Sequence, residues 1–102
     1  MAMNQERFNE IIQEQVNTCL DTLVVKAKEY ATDDKLHNFR TAASLHGGTR
    51  EQALAGMMAK HTVSVYDMCN SGQVYNLNLW NEKITDSINY LLLLRAVVGE
   101  VD

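Results

Sequence analysis

TREQALAGMMAKHTVSVYDMCNSG, residues 49–72, decides what kind of fold this chain adopts. Thr49 followed three residues later by Gln52 forms a capping box. The Thr49 hydroxyl can accept from the Gln52 amide, and the Gln52 side chain can return to the Thr49 amide. Behind that start, Leu54, Met58, His61 or Thr62, Val65 and Met68 recur at steps of three or four, the stripe of one helical face. The run predicts a helix to about Asn70, closed by Ser71-Gly72.

Upstream of the capping box, His46-Gly47-Gly48 ends a second helix expected from Asp34 to Leu45, with a glycine placed for the left-handed cap conformation. ATDD (31–34) is a break rich in residues that prefer caps and turns. Before it, Phe8, Ile12, Val16, Cys19, Leu23, Ala27 and Tyr30 mark one face of a long first helix, expected from Asn4, its cap, to Thr32. A helix of that length projects beyond a small core unless something packs along it, and a second copy of the chain would do so.

Downstream, Gln73 to Asn78 is a linker or at most one short strand. Asn78 is expected to cap a last helix that runs to about Val98, with Gly99 at the stop position. Ile84, Ile88, Leu91, Leu92, Leu94 and Val98 make it apolar on more than one side. The run YLLLL (90–94) is expected to be central or buried between subunits. The sum is an all-α, four-helix bundle-like single domain spanning 1–102, with a long N-terminal helix and an expected homo-oligomeric state.

Composition agrees with that class. The 102 residues are 46% hydrophobic and 22% charged, which excludes a disordered chain. The absence of proline and only five glycines disfavour a sandwich or barrel of many short strands. A formal net charge of -4 argues against nonspecific binding to a nucleic acid polymer. No run reaches the roughly 18 apolar residues of a membrane span, so no membrane partner is expected. MAMNQERFNE carries no apolar signal core, and Cys19 and Cys69 are too few for a disulfide scaffold. A reducing cytoplasmic setting with free thiols is therefore expected.

The residues that could carry chemistry concentrate on the last helix. Glu82, Asp86 and Asn89 share one face at i, i+4 and i+7. Two carboxylates one turn apart can jointly hold a hard cation such as Mg²⁺. Either these residues form a solvated face, or, because the stripe continues into Leu93 and Val97, they line an inward-facing pocket at its polar end. A second acidic group, Glu29, Asp33 and Asp34, either adds metal ligands or caps the second helix. Lys60 lies between Met57, Met58, Ala59 and His61, where it either snorkels to water or points at an anion. Asn38, Phe39 and Arg40 offer an amide, a ring and a cation for a base and its phosphates; the plainer account puts Phe39 in the core and Asn38 on the surface. His37, His46 and His61 have no metal-ligand spacing.

Taken in order, Glu29-Tyr30, His37-Asn38-Phe39 with Ala42-Ala43, Met57-Met58 with Lys60, and Trp80-x-Glu82-x-x-x-Asp86-x-x-x-Tyr90 resemble the small phage-encoded relatives of the MazG-like all-α nucleotide pyrophosphohydrolases. The resemblance covers about residues 26–98. It implies an oligomeric helical bundle, Mg²⁺ held by helix carboxylates, and cleavage of a nucleoside triphosphate to monophosphate and pyrophosphate in a phage-infected host's cytoplasm. By position, Glu82 and Asp86 match the final acidic pair as metal ligands and catalytic groups. Lys60 matches a phosphate-contacting lysine, and Asn38 the polar residue of the Asn-Phe pair. The family's first acidic motif, two glutamates at i, i+3, is not present as such. Glu29, Asp33 and Asp34 are its nearby stand-ins, and Ala31 stands where the family has glycine. Three readings stay open: a Mg²⁺-dependent hydrolase, a nucleotide-binding protein without turnover, and a structural helical bundle.

Overall fold

A computed structural model describes residues 2–25 and 36–99 of the chain. Among the described residues the architecture is all-α, with four helices and no strand. The chain divides into two compact units, Met1–Ala31 and Thr32–Asp102.

The first unit is built on α1 (Gln5–Leu20), which runs on into a π-helical turn at Asp21–Val25. Asn4 caps it as its side chain predicts, accepting from the Arg7 N–H at 2.8 Å. Of the predicted apolar face, Cys19 is buried, whereas Phe8, Ile12 and Val16 stay about half exposed. Residues 26–32, the expected end of this helix, lie outside the described residues.

The second unit holds α2 (His37–His46), α3 (Arg50–Asn70) and α4 (Leu77–Gly99). α2 ends where the glycines predict. Gly47 takes φ 69°, and the Gly48 N–H reaches back to the Ala43 carbonyl at 3.0 Å. The capping box of α3 forms in full: the Gln52 N–H donates to Thr49 Oγ1 at 3.1 Å, and the Thr49 N–H donates to Gln52 Oε1 at 2.8 Å. His61, not Thr62, takes the inward place in the α3 stripe; Thr62 is exposed and donates to the Met58 carbonyl.

The start of α4 differs from expectation by two residues. Asn76, not Asn78, is the cap, its Oδ1 accepting from the Leu79 N–H at 2.8 Å. Either asparagine has the right chemistry, so the register is decided by a neighbour. Tyr75 before the cap packs edge-on against Trp80 on the first turn, centroids 5.7 Å apart, in the manner of a hydrophobic staple. The Tyr75 hydroxyl also donates to Ser71 Oγ at 2.9 Å, which ties the staple to the end of α3.

The core of this unit is Leu54, Val97 and Phe39, with Leu36, Met57, Met58, Tyr90, Leu93 and Leu94 packed around it. Leu54 is 0% exposed. Truncation there leaves a void that three helices cannot close, so Leu54→Ala should cost about 3 kcal/mol in urea unfolding. Thr49→Ala, which removes one half of the capping box, should cost about 1 kcal/mol. Val63→Ala on the exposed face of α3 should stay within about 0.5 kcal/mol of the parent.

Candidate functional site

Midway along α3 and α4, two turns from Leu54, the two helices meet through polar side chains. Asp86 and Tyr90 stand one turn apart on α4 and both turn toward His61 on α3. His61 Nδ1 lies 3.7 Å from Asp86 Oδ2, an ion pair when the imidazole is protonated. The imidazole also stacks on the Tyr90 ring, centroids 4.9 Å apart and planes 30° from parallel. The His61 side chain is 18% exposed and that of Asp86 36%. The carboxylate is therefore held on a half-buried face with one side open to water.

Two further polar groups on α4 are buried without a hydrogen-bond partner. Asn89 is 7% exposed, and its Oδ1 has no hydrogen-bond partner; Ser87 Oγ is likewise buried and unpaired. A buried acceptor without a partner costs about 1–3 kcal/mol, so its retention calls for a reason other than stability.

Glu82 sits one turn before Asp86, about 6 Å along the axis, and is exposed. The pair presents hard oxygen donors, the chemistry Mg²⁺ prefers. Glu29 and Asp33, the other expected ligands, lie outside the described residues. Among the described residues, no three His, Cys, Asp or Glu side chains cluster in a way that could hold a metal. Lys60 is exposed on α3, next in sequence to His61.

The candidate base-binding residues lie elsewhere in the same unit. Asn38 is exposed at the start of α2, Arg40 is half-buried, and the Phe39 ring is taken up by the core. That core is at the level of Leu54, and His61 is seven residues further along α3, so the two regions are about 10 Å apart. An open groove of about 350 Å³ between α2 and α3 is lined by Ala42, Ala43, Ala53 and Gly56, with His46 and Met57 at its sides. It does not include the acidic residues of α4.

No family model, curated protein or solved structure matches this chain. Among the described residues, no helix is long and apolar enough to cross a membrane.

His61 is the site residue that sequence reasoning assigned only to a stripe. Its signal was the ambiguity between His61 and Thr62 on an otherwise apolar face, which becomes informative once Asp86 and Tyr90 are known to face it. Asn89→Leu tests whether the buried amide is structural. With no bond to lose at Oδ1, the variant should unfold at higher urea, by about 1 kcal/mol. A loss of stability of that size would show instead that the amide supports the fold.

Proposed function

We propose that this chain is a Mg²⁺-dependent nucleoside triphosphate pyrophosphohydrolase of the MazG-like kind. The reaction class comes from the resemblance of its ordered motifs. The observation that carries it here is the setting of Asp86: a carboxylate one turn from Glu82, steadied by His61 at 3.7 Å and by the Tyr90 ring behind that imidazole.

In this reading Glu82 and Asp86 hold the cation; Glu29 and Asp33, the further carboxylates that the resemblance implies, lie outside the described residues. Mg²⁺ when bound supplies charge neutralisation on the leaving pyrophosphate and a more acidic water. His61 positions the Asp86 carboxylate as an outer partner of the ion. Lys60, an exposed ammonium on the adjacent helix, serves the phosphates as a point charge. Asn38 and Arg40 belong to α2, whose Phe39 joins the core at Leu54, two turns of α3 from His61. Water adds to phosphorus, the bond between the α-phosphorus and its bridging oxygen breaks, and pyrophosphate departs with the electron pair.

Binding without turnover is the second reading. It is favoured by the departure of the first acidic motif from paired glutamates and by the exposure of Glu82, which leaves Asp86 as the half-buried acid of the pair.

Purified protein incubated with a panel of NTPs and dNTPs plus Mg²⁺ should release pyrophosphate. Asp86→Asn and Glu82→Gln should each lower kcat at least about 10²-fold while leaving the thermal unfolding curve in place. His61→Ala should lower it about 10- to 100-fold, the usual effect of losing an outer partner. A nucleotide that raises Tm but is recovered intact replaces hydrolysis with binding; no turnover and no Tm shift across the panel rejects both readings.

A further inference from the structure

The polar stripe of α4 is graded in depth, and its deepest member does nothing for the fold. Glu82 is exposed, the Asp86 side chain is 36% exposed, and Asn89, one turn further, is 7% exposed. Leu93 and Val97 carry the same face on into the core with Leu54. The stripe thus runs inward from water, with carboxylates at its mouth and a neutral amide at its floor. Among the described residues, no donor reaches Asn89 Oδ1. The main-chain N–H groups around it are spent on the helix ladder, so α4 itself offers none. Ser87 Oγ, the other buried oxygen of α4, is a different case. It lies two residues away and so faces another side of the helix, and a hydroxyl can turn to donate to the carbonyl four residues back. An amide oxygen has no such recourse; it needs a donor from elsewhere.

The place of Asn89 says which donor. It follows Asp86 by three residues on one face, about 4.5 Å along the axis. It lies on the side of Asp86 toward Leu93, Val97 and the apolar layer that Phe39 of α2 joins. A ligand whose anionic end is held through a cation at Glu82 and Asp86 therefore brings to Asn89 whatever comes next along it. On a nucleoside triphosphate that is the sugar. Its hydroxyls are the neutral donors nearest the α-phosphate, a few bonds from it, whereas the donors of the base lie beyond the sugar ring. A phosphate oxygen does not suit Asn89 Oδ1, because both are acceptors. A hydroxyl suits it, giving one proton to the amide oxygen without carrying a charge into a nearly closed site.

We infer that Asn89 is a specificity-determining residue whose amide oxygen receives a sugar hydroxyl of the nucleotide held at Asp86. The inference rests on the proposed nucleotide reading and extends it: the acidic pair takes the phosphates, and Asn89 sorts the sugars. It gives the buried acceptor a partner that folding alone does not supply. A site built around a hydroxyl rejects the analogue that lacks it, because the acceptor then stays buried and unpaired.

The experiment compares ribo-, 2′-deoxy- and 2′,3′-dideoxynucleoside triphosphates of each base, with Mg²⁺, on the wild-type chain and on Asn89→Leu. It reads kcat/KM for pyrophosphate release and, where nothing is released, the Tm shift on binding. Wild type should favour hydroxylated substrates over the dideoxy analogue about 10- to 100-fold, the drop falling at the hydroxyl that Asn89 receives. Asn89→Leu should bring the hydroxylated substrates down to the level of the dideoxy analogue, leaving selectivity below about threefold, while unfolding at no lower urea. Asn89→Ala, which adds no bulk, should erase the selectivity in the same way. A wild-type chain that treats all three sugars alike overturns the assignment and leaves the nucleotide reading standing. So does either variant if it loses activity on every substrate equally and keeps the selectivity. No release and no Tm shift with any nucleotide overturns both together.

Discussion

Leu54 is the point on which the second unit is assembled. Its side chain is wholly buried in a cluster with Phe39 from α2 and Val97 from α4, so three helices share one apolar layer. Once α3 and α4 run antiparallel through that layer, their register is set along the whole contact. Seven residues further along α3 comes His61; seven and eleven residues back along α4 come Tyr90 and Asp86. The polar cluster is thus placed by hydrophobic packing two turns away. Its own ion pair, partly exposed and 3.7 Å long, contributes little to holding the helices together.

The helices were legible because their ends carry strong local chemistry. Thr49 with Gln52, Gly47 and Asn4 each satisfy backbone groups that have no other partner, and the structure uses all three as written. The start of α4 was misplaced because Asn76 and Asn78 are interchangeable as caps. Only the packing of Tyr75 on Trp80 separates them, and that is a contact across the cap rather than a property of it. The α3 stripe was readable to within one residue, and the leftover choice between His61 and Thr62 turned on α4, which periodicity on α3 alone does not see.

The site was less legible than the fold. Spacing placed Glu82 and Asp86 on one side of a helix, but it carried no information about depth: Glu82 is exposed, whereas Asp86 is half-buried with His61 beside it. Asn38, Phe39 and Arg40 are neighbours in sequence, yet the helical period sends them to three environments, surface, core and the margin between. Asn89 appeared as the third member of a polar face, whereas its side chain is enclosed and its oxygen unpaired. A sequence pattern reports direction around an axis. What lies in that direction is a matter of the neighbouring element.

The staple between Tyr75 and Trp80, with the Tyr75 hydroxyl on Ser71, also bears on how the chain reaches its native state. It locks the six-residue connection between α3 and α4 using groups that are close in sequence, so closing this hairpin takes little loop entropy. Contacts of such short range form early in folding. The α3–α4 hairpin is accordingly the natural nucleus onto which α2 condenses, and mutations at the turn should slow folding more than they hasten unfolding.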